Sequence, residues 1–521
     1  MNQMIKSLRY ILFILFIHIL TNCQKRIENS PPQIDKDPFI QYIKLFNQND
    51  AEDVVNAISN AESQQWLIEN IPFLECPDKT IERIYYYRWW TFRKHLKQTP
   101  KGYVFTEFIT PVSHAGAYNT ISCALGHHIM EGRWLHNSRF LNEYIRFWFR
   151  GNDNKPQPHF HKFSSWVADA IHKKFLVDLD SSFVLNLLPD LIEDYRLWEV
   201  EKQLDNGLFW QFDVRDGMEE SISGSRTARN IRPTINSYMV ANAKAISSFA
   251  FMGKMEDTGR HYLQKAQRLS QLLTDSLWDN DSKFYKVKLE SGTISDAREA
   301  IGFIPWYFNI PSTEQNFAWE QIIQTDGFKA PKGITTAEQR HPEFRSHGTG
   351  TCEWDGAVWP FASSQTLVGM ANFIRNYDQH TLVEQDYYNA LLAYADSHVK
   401  NGKPYIGEYL DEQTGEWLKG DNPRSIFYNH STFCDLVISG LIGLIPRDDH
   451  VIEVNPLVTK DNWPWFALEG VRYHGYELSI FWDETGEKYH KKKGLSVYVD
   501  GKLLVHSPAL KRVIEPIDSY N

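Results

Sequence analysis

A long succession of helix-forming segments, from about residue 39 to residue 445, most constrains the fold of this chain. In the clearest of them, from Met255 to Trp278, apolar residues recur three and four positions apart, as on one face of an α-helix. Loops rich in Gly, Pro, His, Asp and Trp separate the segments, and no repeat of fixed length is visible, which disfavours a regular solenoid. The pattern predicts helical hairpins of differing length that close into a toroid. The other helical segments are expected near 39–48, 80–98, 135–150, 160–175, 178–203, 233–252, 296–308, 356–376, 382–399 and 430–443.

The pattern changes to that of β-strands at about residue 447. A short apolar strand is expected at Val451–Val454, and alternating residues with a His-Gly turn occupy Val471–Phe481. Two further strand patterns flank Asp500-Gly501, a dipeptide typical of tight hairpin turns. Residues 447–521 are therefore predicted to form a small antiparallel β unit that packs against the helices.

The composition limits the classes of partner. The chain has 521 residues, 42% of them hydrophobic, and a formal net charge of −10. Nucleic acid is not expected as a partner, because phosphate binding needs a basic surface. The 17 Trp, 25 Tyr and 31 Phe can pack in cores, and aromatic faces also stack on sugar rings. Because no phosphate-binding loop or dinucleotide fingerprint is present, no cofactor is expected.

The N-terminus predicts the compartment. Lys6 and Arg9 precede an apolar run at Tyr10–Leu20, as in a secretory signal peptide. Leu20-Thr-Asn-Cys23 resembles a bacterial lipobox, so residues 1–23 are expected to be a lipoprotein signal with Cys23 lipidated. Residues 24–38 are predicted to form a polar tether. The alternative is an uncleaved anchor. Either way we expect a membrane-attached protein of the bacterial cell envelope, facing the periplasm or the exterior.

The first candidate site is the acidic loop 211–225, which carries Asp213, Asp216, Glu219 and Glu220 beside aromatic residues. Crowded carboxylates in an aromatic pocket acquire raised pKa values, which a general acid requires. Glu219 follows Gly217-Met218, where the backbone can turn sharply and expose the side chain. The other acids remain candidates for the proton donor, and Asp216 is also a candidate substrate ligand.

The second candidate site is Glu408, which lies between Tyr405 and Tyr409 and ahead of a turn at Gln413–Gly415. Tyr409 is expected to contact substrate. Glu408 is far from Glu219 along the chain, so only a closed tertiary structure can bring the two carboxylates together. Inverting glycoside hydrolysis needs such a pair about 6.5–9.5 Å apart, with room for a water molecule.

Two further groups of residues complete the predicted site. Trp354, Asp355 and Trp359 stand at a helix entrance, where the tryptophans could stack on a sugar ring and the aspartate could bind a hydroxyl. Several histidines lie in loop-like segments without metal-ligand spacing, so no metal site is predicted. His114 and His430 are expected to bind sugar hydroxyls instead. Cys76, Cys123, Cys352 and Cys434 lack CxxC spacing and are expected to be free thiols.

Three motifs together resemble the helical-toroid glycoside hydrolases that include mannosylglycerate hydrolase and processing α-glucosidase. They are Gly217-Met218-Glu219, Trp354-Asp-Gly-Ala-Val-Trp-Pro360 and Glu408-Tyr-Leu-Asp-Glu-Gln-Thr-Gly415. Glu219 stands where the family usually has Asp, and Ala357 where it usually has Pro. The departure at Glu219 keeps the neighbouring acids open as proton donors.

The resemblance, which covers roughly residues 80–445, implies a mainly α fold. It implies an (α/α)6 barrel, here bounded at 39–446, with the small C-terminal β unit attached. It also implies inverting hydrolysis of an O-glycosidic bond, often α-linked, in an oligosaccharide or polysaccharide. Glu219 would be the general acid and Glu408 the general base, and action at chain ends is expected.

Two alternatives come from other classes of protein. Polysaccharide lyases also use helical toroids with a β unit, and Tyr428-Asn429-His430, or His114 with Tyr118, could supply their base. A surface lipoprotein that captures glycans without cleaving them would also be helical and rich in aromatic residues. That class leaves the two acidic loops unexplained.

Overall fold

The computed structural model describes residues 31–345 and 347–517. The predicted signal peptide with Cys23 and the first part of the predicted tether lie outside these residues. The helices are α1 Asp37–Gln48, α2 Asn60–Asn70, α3 Lys79–His95, α4 Leu125–Gly132, α5 Arg139–Arg150, α6 Val167–Asp178, α7 Ser181–Lys202, α8 Asp213–Asp216, α9 Pro233–Met252, α10 Glu256–Leu277, α11 Ile304–Tyr307, α12 Pro360–Asn376, α13 Glu384–Ser397 and a π-helix at Leu436–Ile442. The strands are β1 Phe73–Glu75, β2 Leu96–Thr99, β3 Gly102–Phe105, β4 Trp278–Asp279, β5 Phe284–Tyr285, β6 Lys329–Ala330, β7 Gly333–Ile334, β8 Val399–Lys400, β9 Lys403–Pro404, β10 Leu444–Ile445, β11 Val451–Val454, β12 Trp465–Tyr473, β13 Tyr476–Asp483, β14 Gly494–Val499, β15 Lys502–Ser507 and β16 Val513–Pro516.

The helices form two concentric rings, which confirms the predicted (α/α)6 barrel. The inner ring consists of α4, α6, α9, α11 with the 3-10 turn before it, α12 and the π-helix, and these segments are buried on nearly all sides. The outer ring consists of α3, α5, α7, α10, the 3-10 segment Thr313–Ile323 and α13. An outer helix such as α10 buries only one stripe, which includes Leu269, Leu273 and Leu277. This difference follows from position, since an inner helix is covered by neighbours and by its outer partner.

The inner ring closes through one buried carboxylate. Glu131 at the end of α4 accepts the backbone N–H groups of Phe433, Cys434 and Asp435, which lead into the π-helix. Arg133 donates to Asp435 at 2.7 Å across the same junction. About 300 residues of chain separate the two sides, because the hydrogen bonds join positions 302–304 apart. First and last inner helices are thereby joined where unpaired helix-end N–H groups would otherwise remain buried.

The C-terminal strands form the predicted antiparallel unit, and two strands from outside the predicted range 447–521, β1 and β10, join it. The main sheet has the order β1-β12-β13-β14-β15, so β1, which lies between α2 and α3, pairs with β12. A second sheet has the order β10-β11-β16. The two predicted hairpin turns are confirmed, at His474-Gly475 between β12 and β13 and at Asp500-Gly501 between β14 and β15.

The N-terminal segment is attached to this β unit. Ile34 is buried, and Lys36 forms an ion pair with Glu469 of β12 at 3.4 Å. The end of the predicted tether therefore packs on the fold before α1 begins. Among the described residues, none of the helices combines the length and apolarity needed to cross a bilayer.

Candidate active site

The loops between helices enclose a cavity of about 260 Å³ that contains both predicted catalytic glutamates. The loop after α8 contributes Glu219, and the segment after β9 contributes Glu408. The cavity is lined by Glu107, Phe108, His114, Ile121, Cys123, Lys162, Phe163, Val214, Arg215, Gly217, Glu219, Cys352, Trp359, Phe361, Glu408, Arg424, Tyr428 and His430. The structure thus brings together two carboxylates from distant parts of the chain.

A left-handed glycine turn presents Glu219 to the cavity. The four-residue helix α8 ends at Gly217, whose φ of +71° suits glycine and whose N–H bonds back to Asp213. A Cβ at this position would lie 2.4 Å from Cys123 Sγ, so only glycine fits. Burial raises the pKa of Glu219 to about 7, and the negative charges of Asp213 and Glu408 act in the same direction. Glu219 is therefore mainly protonated below about pH 7.

Glu408 has a different electrostatic environment. Its carboxylate is buried, which raises its pKa, but Lys419 and Arg424 lie 3.8 and 3.7 Å away and oppose that rise. The Ser425 hydroxyl lies 3.5 Å from the same Glu408 oxygen. The two cations favour the ionised form of Glu408. The pKa of Glu408 is still raised overall, so the two carboxylates differ in their neighbours: cations lie beside Glu408, whereas the negative charges of Asp213 and Glu408 act on Glu219.

The other acids of the 211–225 loop stabilise its conformation. Asp216 is fully buried, and its carboxylate accepts hydrogen bonds from Arg232, Thr234 and Ser164. It does not line the cavity, so no oxygen of Asp216 is free to bind substrate there. Asp213 is also buried and accepts the Glu220 N–H at 3.3 Å.

Glu220 secures the neighbouring loop. Burial acts to raise its pKa, but hydrogen bonds from the Thr351 hydroxyl and the N–H groups of Glu353, Cys352 and Thr351 lower it to about 2. Arg345 donates to the same carboxylate at 2.9 Å. Glu220 is therefore ionised, and its oxygens accept hydrogen bonds from the protein. Glu219 is the acid of this loop that both lines the cavity and has a raised pKa.

The predicted aromatic residues stack on one another. Trp359 lies between Trp354, with ring centroids 4.6 Å apart, and Tyr409, at 4.8 Å. The Trp359 indole N–H donates to Cys352 O at 3.1 Å. Trp359 therefore already stacks on two rings of the protein, whereas a face open to a sugar ring was expected. Trp354 and Tyr409 support Trp359 from outside the lining.

The remaining predicted ligands divide between the cavity and its surroundings. His114 and His430 line the cavity, and burial lowers the pKa of both, so they are neutral. Asp355 lies outside the lining and forms an ion pair with Arg345 at 2.7 Å. Burial raises the pKa of Asp355 to about 6 despite this pairing.

Glu107 is a third cavity carboxylate that sequence reasoning missed. It follows β3, and its backbone oxygen accepts the Asn429 N–H at 3.0 Å. Burial raises the pKa of Glu107 to about 8; the Tyr428 hydroxyl donates to it, and Glu408 and Glu219 add negative charge nearby. Glu107 Oε2 has no hydrogen-bond partner within the described part of the chain. A protonated carboxyl in this position can bind a sugar hydroxyl. The acid's position between Phe105 and Phe108 was the available sequence signal.

Cationic side chains also line the cavity. Lys162 and Arg215 lie on one side, and burial together with Arg215 lowers the pKa of Lys162. The Lys162 ammonium donates to His114 O at 2.6 Å. Among the described residues, Arg215 has no ion-pair partner, and Arg424 has only Glu408 at 3.7 Å. This part of the cavity therefore carries positive charge that protein carboxylates balance incompletely.

A cluster of possible metal ligands and the four cysteines lie outside the cavity or at its wall. His347, Asp411 and Glu412 have ligand atoms within 4.8 Å of one another, as metal ligands would. Asp411 there accepts the N–H groups of Gln413 and Thr414 and so fixes the turn after Glu408. Cys76, Cys123, Cys352 and Cys434 are free thiols, as predicted.

Comparison with known proteins decides the family. The model of the mannosylglycerate hydrolase MGH1-like glycoside hydrolase domain matches residues 117–431, more than half of the chain. The chain belongs to this glycoside hydrolase family. The matched range of this MGH1-like chain includes Glu219, Glu408 and the aromatic stack. Glu107 and the N-terminal helices lie outside it.

Solved structures agree with the fold. A protein described as a sialidase is 49% identical, with a TM-score of 0.91 over 92% of this chain and 45% of that chain. The MGH1-like chain thus spans less than half the length of that relative. The GH63 mannosylglycerate hydrolase from Thermus thermophilus in complex with Tris has a TM-score of 0.50 and 13% identity, covering 67% of this chain and 98% of that one. A GH78 family rhamnosidase of Bacillus sp. GL1 has a TM-score of 0.53 and 11% identity, covering 79% and 40%. The last two similarities concern the fold alone.

Proposed function

We propose that this protein hydrolyses an O-glycosidic bond at the end of a glycan chain with inversion at the anomeric carbon. The observation that supports it best is the asymmetric environment of Glu219 and Glu408 in one cavity. Glu219 has its pKa raised to about 7, whereas Lys419 and Arg424 oppose the rise that burial causes in the pKa of Glu408. Glycosidases separate the roles of two carboxylates in this way.

In the proposed reaction, protonated Glu219 donates its proton to the glycosidic oxygen as the bond from that oxygen to the anomeric carbon breaks. Ionised Glu408 accepts a proton from water as the water oxygen bonds to the opposite face of the anomeric carbon. The protein loses one proton at Glu219 and gains one at Glu408, and solvent exchange restores both. Glu107 and His430, which line the same cavity, would bind hydroxyls of the sugar.

The cations favour a glycan with an acidic group near the cleaved bond. Lys162 and Arg215 line the cavity without an ion-pair partner among the described residues, whereas Arg424 lies 3.7 Å from Glu408. A carboxylate or sulfate on the substrate would pair with them. The relative described as a sialidase, whose name denotes an acidic sugar, supports the same proposal. An α-linkage is proposed from the family resemblance.

The lyase alternative has less support from the site. One of its candidate bases, Tyr428, is fully buried and donates its hydroxyl to Glu107. Burial and the neighbouring Glu107 and Glu408 hold the pKa of Tyr428 well above its ordinary value. A tyrosine in this state is a poor proton acceptor, which counts against Tyr428 as the base of an elimination.

We expect NMR to detect a released sugar whose anomeric configuration is first inverted. The test incubates the protein with matched panels of acidic and neutral oligosaccharides and records one-dimensional spectra before mutarotation is complete. The acidic panel is expected to contain the substrate. A sugar that first appears with retained anomeric configuration would contradict the inverting mechanism. An unsaturated product would indicate the lyase. Glycan binding without turnover would indicate the capture protein.

The pH dependence of kcat/KM is expected to be bell-shaped. Because Glu219 must be protonated, activity falls as pH rises through its pKa of about 7. Because Glu408 must be ionised, activity also falls as pH drops through its own raised pKa. The measurement is initial rate against pH at low substrate concentration. Glu219→Asp should retain the high-pH limb, and Glu219→Gln should remove it together with most of the activity. Full activity in Glu219→Gln would show that another group donates the proton.

A further inference from the structure

A second cavity, of about 290 Å³, lies beside the catalytic cavity. Two segments that are far apart in the sequence contribute residues to both cavities. Phe108 lines the catalytic cavity, and the next residues, Ile109 and Thr110, line the second. In the segment 423–428, Arg424 and Tyr428 line the catalytic cavity, whereas Pro423, Ile426 and Phe427 line the second. These two segments therefore lie between the two cavities.

The wall of the second cavity is held by buried contacts. Asp50 forms an ion pair with Lys94 and accepts the Asn60 side-chain N–H at 2.8 Å. Phe427 has a φ of +62°, which is unusual for an aromatic residue, and its carbonyl accepts a hydrogen bond from His95 Nε2 at 2.6 Å. The cavity is therefore preformed.

The side chains of the second cavity combine an aromatic ring with free hydrogen-bonding groups. Trp90 meets the Phe427 ring edge to face at 5.5 Å, and the Lys94 ammonium lies 5.2 Å from the centroid of the same ring. Ile109 and Ile426 add apolar surface. Within the described residues, the side-chain oxygens of Asp53 and Thr110 make no hydrogen bond. A ring surface beside open acceptors suits a sugar, which has apolar C–H faces and equatorial hydroxyls.

The charge of the second cavity differs from that of its neighbour. Lys94 balances Asp50, which leaves the carboxylate of Asp53. This negative charge disfavours an acidic ligand, and the carboxylate can accept hydrogen bonds from the hydroxyls of a neutral one. Much of the wall, including Lys94, lies before residue 117, where the family match begins.

We propose that the second cavity binds an uncharged sugar unit of the same glycan that the catalytic cavity cleaves. This rests on the proposed function for the identity of the ligand. Phe427 provides the stacking surface, and the side-chain oxygens of Asp53 and Thr110 accept hydrogen bonds from the sugar hydroxyls. Because Arg424 and Phe427 belong to one loop, a sugar in the second cavity also restrains the cation next to Glu408.

The experiment is a series of crystal soaks of the Glu408→Gln protein with D-glucose, D-mannose, D-galactose and N-acetyl-D-glucosamine, one at a time. Electron density for a pyranose ring against Phe427, with a hydroxyl at Asp53, is expected for at least one sugar. In solution, Phe427→Ala should weaken the affinity for that sugar, measured by saturation-transfer NMR, about 3- to 10-fold. Phe317→Ala, which removes an exposed ring elsewhere, should leave binding unchanged.

Asp53→Ala provides a second variant at an exposed position, where folding is least affected, and should also weaken binding. A second cavity that stays empty with all four sugars overturns the inference, whatever the catalytic cavity holds. A sugar bound there by a protein that cleaves no glycan would leave the inference standing and count against the proposed hydrolysis. Binding that is equal in Phe427→Ala, Asp53→Ala and the parent protein would also overturn it.

Discussion

Replacing Glu408 with Gln is expected to lower kcat by at least ~10²-fold while leaving glycan binding close to that of the parent protein. Gln has the size and shape of Glu and retains an oxygen, so contacts with Lys419, Arg424 and Ser425 are preserved in outline. It cannot accept the proton of the attacking water. The measurement is the single-turnover rate on a glycan found in the oligosaccharide panel, together with its dissociation constant from calorimetry.

Glu416→Gln is the matched control for this experiment. Glu416 is exposed on the same turn, and its replacement removes the same charge without touching the cavity. We expect its kcat to equal that of the parent protein. Turnover by Glu408→Gln at the parent rate would show that Glu408 does not activate the water. Loss of both glycan binding and turnover in Glu408→Gln would indicate that Glu408 holds the sugar.

Replacing Arg232 with Met is expected to lower the free energy of unfolding by about 3–5 kcal/mol. The Arg232 side chain is fully buried, and its Nε donates to Asp216 at 2.6 Å. Its charge also stabilises the ionised form of Glu299, which is completely buried. Met fills a similar volume but leaves two buried carboxylates without their cation. Urea denaturation followed by circular dichroism measures the difference.

Two further variants separate loss of charge from loss of packing. Arg229→Met removes an exposed arginine that lies over the Trp210 ring at 5.0 Å, and should change stability by no more than about 0.5 kcal/mol. Arg232→Met combined with Asp216→Asn should recover part of the loss, because one unpaired carboxylate is gone. An Arg232→Met protein as stable as the parent would contradict the role given to this buried pair.

Local patterns predicted much of the architecture. The periodicity of residues 255–278 predicted a helix that the structure places at Glu256–Leu277. Asp500-Gly501 predicted the turn between β14 and β15 because few dipeptides suit that backbone conformation. The three motifs placed Glu219 and Glu408 in a hydrolase-like arrangement, and both line one cavity. Their catalytic roles remain predictions.

Other features depended on contacts between distant parts of the chain. Nothing near Asp216 indicated that Arg232 would neutralise it, so an acid of the same loop as Glu219 became a buried structural group. Trp359 was expected to stack on a sugar, but it already stacks on Trp354 and Tyr409. Glu107 reaches the cavity only because β3 and its following loop pack against Asn429.

The sequence alone determined the local elements: helix and strand periods, turn residues, and the order of the acidic motifs. These depend on interactions between residues a few positions apart, which a linear pattern records directly. The tertiary structure alone decided which carboxylates are buried with cations, which rings face the cavity, and how the inner ring closes through Glu131. Each of these depends on desolvation and pairing across hundreds of residues, and a pKa or an exposed ring face is a property of that three-dimensional environment.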